Sequence, residues 1–134
     1  MIRLNPEQLV FVTERHLATL TTLRQDGTPH VVPVAFTWDA AAGVVRITAN
    51  RGSVKARNAR GYPPREGSPR AAVCQVDGGR WITLEGQIDV SEDPDEITAA
   101  VARYAKRYRE LRPNPERIVL RLTPDKVMSS TYMA

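Results

Sequence analysis

The sequence predicts a mainly β domain, a small antiparallel barrel with flanking helices, and three observations carry this prediction. Several short runs alternate apolar and polar residues, which is the period of a strand with one buried face. Turn signals of the Asp-Gly type, at Asp26-Gly27 and Asp77-Gly78, separate neighbouring runs as they do in β-hairpins. Helical patterns do not alternate with the strands, so a parallel doubly wound sheet is a poor fit.

The size and composition indicate one folded domain. A chain of 134 residues is long enough for one core but not for two, so residues 1–134 are predicted to form a single domain. Cys74, His16 and His30 are too few ligands for zinc or an iron–sulfur cluster, so no metal site is predicted. No apolar run has the length of a membrane span or of a signal peptide core. This favours a cytoplasmic protein without membrane contact.

Three helices are predicted, because each follows a residue whose side chain caps free N–H groups. The predicted helices are 6–15 after Asn5, 53–60 with Ser53 as cap and Gly61 as stop, and 93–109 with Asp93 as cap. The third helix carries one apolar stripe, which is typical of a helix packed on one side. The stripe consists of Ile97, Val101, Tyr104 and Tyr108.

The predicted strands lie between these helices and after the last of them. Their ranges are 16–24 and 30–38 around the turn 25–28, then 44–49, then 71–76 and 80–90 around a second turn, and finally 116–130. In the strand 80–90, Ile82, Leu84 and Ile88 share one face, while Trp81, Thr83, Glu85 and Gln87 share the other.

A basic segment follows the strand 44–49. Residues 51–70 contain six Arg or Lys and a single acid, whereas the whole chain has a net charge of only +4. The turn at Ser53 exposes N–H groups at a helix start, and Lys55 and Asn58 lie three residues apart on one helical face. Arg51 directly precedes the turn. These residues predict an anion site of the kind that holds a phosphate, with an ordinary solvated helix end as the alternative.

A basic nucleic-acid module is a further alternative, since the sequence pI is 9.6. Aromatic residues make up only 6% of the chain, so platforms for base stacking are scarce. The excess charge is also confined to two patches, the segment 51–70 and a second one. The second patch contains Arg103, Lys106, Arg107, Arg109 and Arg112. No nucleic-acid partner is therefore predicted.

Four segments together resemble the flavin- and deazaflavin-dependent oxidoreductases of the pyridoxamine 5'-phosphate oxidase-like superfamily. They read HLATLTTLRQDGTPHVVPVAF, RITANRGSVKARN, AAVCQVDGGRWITLEGQIDV and RYAKRYRELRPNPERIVLRLTPDKV, and their order and spacing match over nearly the whole chain. The stretch VCQVDGGRW is similar to the actinobacterial biliverdin reductases that depend on coenzyme F-420, a deazaflavin. The resemblance implies a split β-barrel, Greek-key-like and of the FMN-binding type, that forms a homodimer with the cofactor groove at the interface.

The resemblance also implies the site. Ser53, Lys55 and Asn58 match the residues that hold the cofactor phosphate, and the strand 30–34 matches the one that runs along the ring system. The full set of predicted cofactor-binding residues is His30, Val31, Val32, Pro33, Val34, Thr48, Ala49, Arg51, Ser53, Lys55, Asn58, Arg80 and Trp81. No catalytic residue is predicted, because in such enzymes the cofactor carries the reactive atom.

The expected activity is transfer of a hydride from reduced coenzyme F-420 to a conjugated acceptor, such as biliverdin or a related tetrapyrrole. The surplus cations of both patches, among them Arg57, Arg60, Arg65 and Arg70, suit the long anionic tail of this cofactor better than FMN. An FMN-binding oxidoreductase of the same fold and a non-catalytic cofactor-binding protein are the alternatives. The loop 61–69 is longer than the resemblance leads us to expect, and we expect it to shape the substrate or tail side of the site.

Overall fold

A computed structural model of the chain describes residues 1–63 and 67–133. Its elements run in the order α1 (Pro6–Thr13), β1 (Ala18–Leu23), β2 (Pro29–Val34), β3 (Phe36–Asp39), β4 (Val44–Asn50), α2 (Val54–Arg60), β5 (Arg70–Asp77), β6 (Arg80–Ser91), α3 (Pro94–Arg107) and β7 (Arg117–Ser129), with a short 3-10 turn at Thr131–Met133. The predicted mainly β class with flanking helices is confirmed. Residues 64–66, which include Arg65 and the middle of the predicted loop 61–69, lie outside the described ranges.

The strands form one antiparallel sheet in the order β2-β1-β5-β6-β7-β4-β3. The two edge strands, β2 and β3, are consecutive in the chain and only Ala35 separates them. Since neighbouring Cα atoms are about 3.8 Å apart, both edges of the sheet must meet at this residue, and the sheet curls into a barrel. The single strand predicted over 30–38 is therefore two strands, because its first half pairs with β1 and its second half with β4.

Helix α1 begins as its sequence predicts. The Asn5 side chain accepts a hydrogen bond from the Gln8 N–H at 2.9 Å, and the Gln8 side chain accepts one from the Asn5 N–H at 3.0 Å. Asn5 Nδ2 also donates to the carbonyl of Met133 at 2.7 Å, which fixes the end of the chain to this helix. Helix α3 ends at Arg107, two residues before the predicted end, because Tyr108 leaves helical geometry with φ −121° and ψ −82°.

The core lies inside the barrel and is built from alternate strand residues. In β6, Ile82, Leu84 and Ile88 are buried while Trp81 and Gln87 face outward, as the pattern predicts. The pairing of β6 with β7 shifts by one residue between Glu85 and Gly86, which is a β-bulge. In the two described ranges, no helix is long and apolar enough to cross a membrane.

Candidate cofactor-binding site

Helix α2 closes one end of the barrel and packs against β1, β4 and β6. Ser53 Oγ accepts a hydrogen bond from the Ala56 N–H at 3.3 Å and donates one to the Asn50 carbonyl at 2.8 Å. Gly61 ends the helix with a φ of 83°, a conformation that glycine adopts without strain. The strand–Ser53–helix turn predicted from the sequence is thus present.

Asn58 is buried beneath this helix, with only 1% of its surface exposed. Its Nδ2 donates to Thr22 Oγ1 at 3.0 Å, and its Oδ1 accepts from the Tyr62 hydroxyl at 2.5 Å. The amide therefore ties α2 to β1 and to the chain that follows the helix. Tyr62 was not among the predicted site residues, and a tyrosine directly after the helix-ending glycine is the signal that points to it.

Lys55 and His30 lie at the same end of the barrel. His30 pairs with Thr22 across β1 and β2, and Thr22 in turn holds Asn58. The pKa of His30 is lowered from its usual 6.5, first by burial and then by the nearby charges of Arg24 and Lys55. His30 Nδ1 is buried and has no hydrogen-bond partner among the residues described. Lys55 is half-buried, and within the same ranges it makes no hydrogen bond or ion pair.

Strand β2 carries the predicted ring-contacting residues along an open edge. His30, Val32 and Val34 turn toward the barrel, and Val34 is buried at 6% exposure. Val31 and Pro33 turn outward, and Val31 is 55% exposed. In the described chain β2 pairs only with β1, so the backbone groups on its other edge have no strand partner.

Thr48 and Ala49 lie near the end of β4, opposite Val119 and Ile118 of β7. Ala49 is buried and Thr48 is half-buried. From these two residues the backbone of β4 continues directly into the Ser53 turn, as predicted.

Arg51 forms ion pairs with two acidic residues of the same chain. Its Nε donates to Glu92 at 2.6 Å and its Nη1 to Glu116 at 3.0 Å, and the first of these bonds is the main cause of the raised pKa of Arg51. Its carbonyl accepts from Arg60 Nη1 at 3.1 Å. The charge of Arg51 is therefore shared with two carboxylates, whereas the charge of Lys55 is not.

Arg80 and Trp81 begin β6, far from α2 within one chain. Helix α2 lies beside residues 88–90 at the other end of β6, on the order of 20–30 Å away at about 3.3 Å per residue. Arg80 donates to Glu14 at 2.9 and 3.1 Å and to Asp77 at 2.5 Å. A single chain does not bring Arg80 and Trp81 to the other predicted residues.

Two depressions flank the buried Asn58 and the Tyr62 ring. A groove of about 630 Å³ is lined by Arg24, Gln25, Asp26, Val54, Arg57, Asn58 and Tyr62. A cavity of about 310 Å³ is lined by Leu23, Asn58, Arg60, Gly61, Tyr62, Pro63, Gly67, Ser68, Pro69 and Arg70. Among the described residues, the one carboxylate in either lining is that of Asp26, and it accepts from the Thr28 hydroxyl at 2.6 Å.

The cations of the basic segment divide into engaged and unpaired ones. Arg70 forms a two-pronged pair with Asp125 at 2.5 and 2.8 Å, and Arg60 donates to a carbonyl. Arg57 is exposed and, like Lys55, makes no hydrogen bond or ion pair in the described part of the chain. Lys55 and Arg57 are thus the cations of α2 that remain available to an anionic ligand.

The second basic patch lies at the opposite end of the barrel. Arg103 pairs with Asp39 at 3.1 Å, and Arg107 Nη1 donates to the Phe36 carbonyl at 2.6 Å. Arg107 Nη2 donates to Gln75 Oε1 at 2.6 Å, and Gln75 stands opposite the first residue of β1 rather than its last. Within one chain this patch therefore does not extend the α2 site.

A curled antiparallel sheet with a basic, serine-capped helix across one end defines a class of cofactor-binding barrel, and the comparisons identify it. The chain belongs to the pyridoxamine 5'-phosphate oxidase family, which it matches over residues 4–130. A biliverdin reductase of Mycobacterium tuberculosis (strain CDC 1551 / Oshkosh) that depends on reduced F-420 is 46% identical over 128 residues, which cover 96% of this chain and 89% of that protein. The resemblance described from the sequence is confirmed.

Solved structures support the same fold. A conserved hypothetical protein of Mycobacterium tuberculosis superposes with a TM-score of 0.78 at 21% identity, covering 97% of this chain and 86% of its own. An F-420 reductase superposes with a TM-score of 0.70 at 24% identity, covering 95% of this chain and 98% of its own. At these identities the likeness concerns the fold alone.

Proposed function

We propose that this protein is an oxidoreductase that uses reduced coenzyme F-420 to transfer a hydride to a conjugated acceptor, with biliverdin or a related tetrapyrrole as the acceptor. The observation that carries the proposal is the relative that is 46% identical over 96% of the chain and is named for this cofactor and this substrate.

The α2 end of the barrel has the chemistry that such a cofactor needs. Lys55 and the N–H groups after Ser53 would hold the phosphate, and Arg57 would meet the acidic tail. Neither cation pairs with an acid among the described residues, so binding an anion there breaks no ion pair that the structure describes. The lowered pKa of His30 favours its neutral form, and its Nδ1, which has no partner among the described residues, is a hydrogen-bonding group to offer to a bound ring.

A bound deazaflavin would supply the hydride, and the residues of β2 and α2 would hold and orient it. The open edge of β2 presents backbone N–H and C=O groups to a flat ring. Pro33 lacks an N–H, so this strand contributes one donor fewer at that point. The apolar side chains of Val32 and Val34 support the strand from the barrel side.

We further propose a homodimer in which a second copy covers the outer face of the sheet. This face carries the exposed Val31, Val76, Trp81 and Met128, which are 55%, 60%, 36% and 38% exposed. Val76 and Trp81 are direct cross-strand neighbours, so their side chains form one apolar surface. In such a dimer Arg80 and Trp81 of one copy would approach α2 of the other. Cys74 is a free thiol of β5, which favours a reducing cytoplasm.

The test is a side-by-side titration with coenzyme F-420 and FMN, followed through the fluorescence of each ring. We expect the deazaflavin to bind more tightly and Lys55→Ala to weaken its binding by about 1.5–3 kcal/mol, the value of a hydrogen bond to a charged group. Arg3→Ala, at an exposed cation outside the sheet, is the control and should leave affinity unchanged. Tighter binding of FMN would overturn the cofactor assignment.

Two further readouts separate the remaining alternatives. Addition of biliverdin to the reduced complex should oxidise the cofactor, whereas a non-catalytic binding protein would hold it without turnover. In the free protein, Lys55→Ala should raise the pKa of His30 measured by NMR, because a nearby positive charge has been removed. An unchanged pKa would mean that Lys55 does not face His30, whatever the cofactor does.

A further inference from the structure

A second cleft, unrelated to the α2 site, lies between α1, β3 and α3. It has a volume of about 280 Å³ and is lined by Val12, Thr13, Thr37, Trp38, Arg103, Lys106 and Arg107. Three of these residues are cations, and the lining contains no acid among the residues described. We propose that this cleft binds an organic carboxylate with a flat apolar body, through residues that take no part in the proposed cofactor site.

Arg107 is the fixed member of the cleft. Its guanidinium donates to the Glu14 carbonyl at 2.9 Å, to the Phe36 carbonyl at 2.6 Å and to Gln75 Oε1 at 2.6 Å. It also lies 4.6 Å from the Phe36 ring centre and 4.9 Å from that of Tyr108. All three acceptors are neutral, so burial without a counter-charge lowers the pKa of this guanidinium.

The positive charge of Arg107 is thus not neutralised by a carboxylate among the described residues. A partly buried cation without an anion carries a desolvation cost that a paired one recovers. A guanidinium has five N–H groups, and three are used in the bonds above. Two N–H groups of Arg107 therefore remain for an acceptor in the cleft.

The neighbouring cations are also short of acids. Arg103 shares the buried carboxylate of Asp39, at 3.1 Å, with Arg46, at 2.5 Å. Lys106 is exposed and makes no hydrogen bond or ion pair in the described ranges. Arg46 also contacts Glu96 at 3.4 Å, whereas Asp39 is the one acid that Arg103 contacts among the described residues and Lys106 contacts none.

The chemistry of the residues that line the cleft indicates which class of anion it would bind. Arg107 and Lys106 offer only donors, which matches the acceptor-only carboxylate, and a planar guanidinium suits its planar geometry. The indole of Trp38 and the side chain of Val12 supply an apolar wall for a flat hydrocarbon body. The Trp38 Nε1–H is buried without an acceptor among the described residues.

The experiment uses the tryptophan of the cleft as its probe. Trp38 and Trp81 are the two tryptophans of the chain, so in a Trp81→Phe background the fluorescence reports on Trp38 alone. Sodium benzoate is titrated at fixed ionic strength beside benzamide, which has the same ring without the charge, and beside inorganic phosphate, which has the charge without the ring. We expect a saturable change with benzoate and no saturable change with the other two.

Lys106→Gln should raise the benzoate Kd about three- to fivefold, as loss of one partly exposed charge implies, and the matched Lys126→Gln should leave it unchanged. The affinity for coenzyme F-420 should be the same in both variants. Absence of saturation with benzoate, equal binding of benzamide or phosphate, or an unchanged Kd in Lys106→Gln would each overturn the proposal. A loss of F-420 affinity in Lys106→Gln would show that Lys106 belongs to the cofactor site as well, and would overturn the assignment of the cleft as a separate site.

Discussion

Replacing Arg107 by Met tests whether the buried guanidinium holds the ends of α1, β3 and β5 together. Two of its three acceptors keep a second donor in the variant. The Glu14 carbonyl also accepts from the His16 N–H at 3.0 Å, and the Phe36 carbonyl also accepts from the Tyr108 hydroxyl at 2.9 Å. Gln75 Oε1 accepts from no other donor among the described residues, so it becomes a buried acceptor without a partner.

The expected loss of stability follows from the one acceptor, Gln75, that is left without a donor. An unsatisfied buried polar group costs about 1–3 kcal/mol, and lost stacking of the cation on two rings adds about 0.5–1 kcal/mol. Removal of an uncompensated buried charge offsets part of this. We therefore expect Arg107→Met to lower the free energy of unfolding by about 2–3 kcal/mol. Gln75 is fully buried, so water cannot restore the lost bond without opening the core.

The assay is urea unfolding at one fixed protein concentration, analysed by linear extrapolation. Arg109→Met is the control, since Arg109 is exposed and makes no hydrogen bond or ion pair within the described residues, and it should cost less than about 0.5 kcal/mol. The double variant Arg107→Met with Gln75→Met should cost less than the sum of its parts, because both partners are then apolar. Strict additivity, or a loss below about 1 kcal/mol for Arg107→Met, would refute the reasoning.

Two further predictions concern pH and the bulge in β6. The pKa of Glu14 is lowered to about 2, chiefly by its hydrogen bonds with Arg80, so this pairing stabilises the folded state above the unfolded pKa near 4.5 and is lost as pH falls through 2. The difference in urea midpoint between the wild type and Arg80→Gln should accordingly shrink between pH 5 and pH 2, and a constant difference would contradict the pairing. Gly86→Ala places a Cβ 2.0 Å from the Thr123 carbonyl oxygen and should lower stability by about 1–3 kcal/mol in the same assay. Gly52→Ala, with nothing within 4 Å of the added Cβ, should change it by less than about 0.5 kcal/mol, and equal effects of both substitutions would show that crowding is not the cause.

Local features of the fold were predictable from the sequence because local chemistry determines them. The caps at Asn5, Ser53 and Asp93 each need only a side chain and the next few N–H groups, and all three are present. The break at Ala35 was not predictable in this way. It depends on which distant strand each half of the segment 30–38 pairs with, and no residue in the segment signals the change of partner.

The candidate site likewise combines features that the sequence predicted with features that it did not. The positions of Lys55 and His30 at one end of the barrel agree with the expectation taken from the resemblance, although their contact with a cofactor stays a prediction. The spacing of three residues placed Asn58 with Lys55 on one helical face as part of an anion site, whereas the Asn58 amide is buried and bonded to Thr22 and Tyr62. The charge count likewise treated Arg107 as a surface cation. A count of residues does not record that a guanidinium is stacked inside the fold.

The direct junction of β2 and β3 at Ala35 links two regions that would otherwise be independent. On one side of this residue lies the strand proposed to carry the cofactor ring, and on the other lie Thr37 and Trp38, which form a wall of the carboxylate cleft. Only one residue connects the two strands. A shift of β2 on ligand binding would therefore also shift the cleft wall, and a ligand bound against Trp38 would oppose that shift. By reciprocity, any such effect of one ligand on the affinity for the other would be equal in both directions.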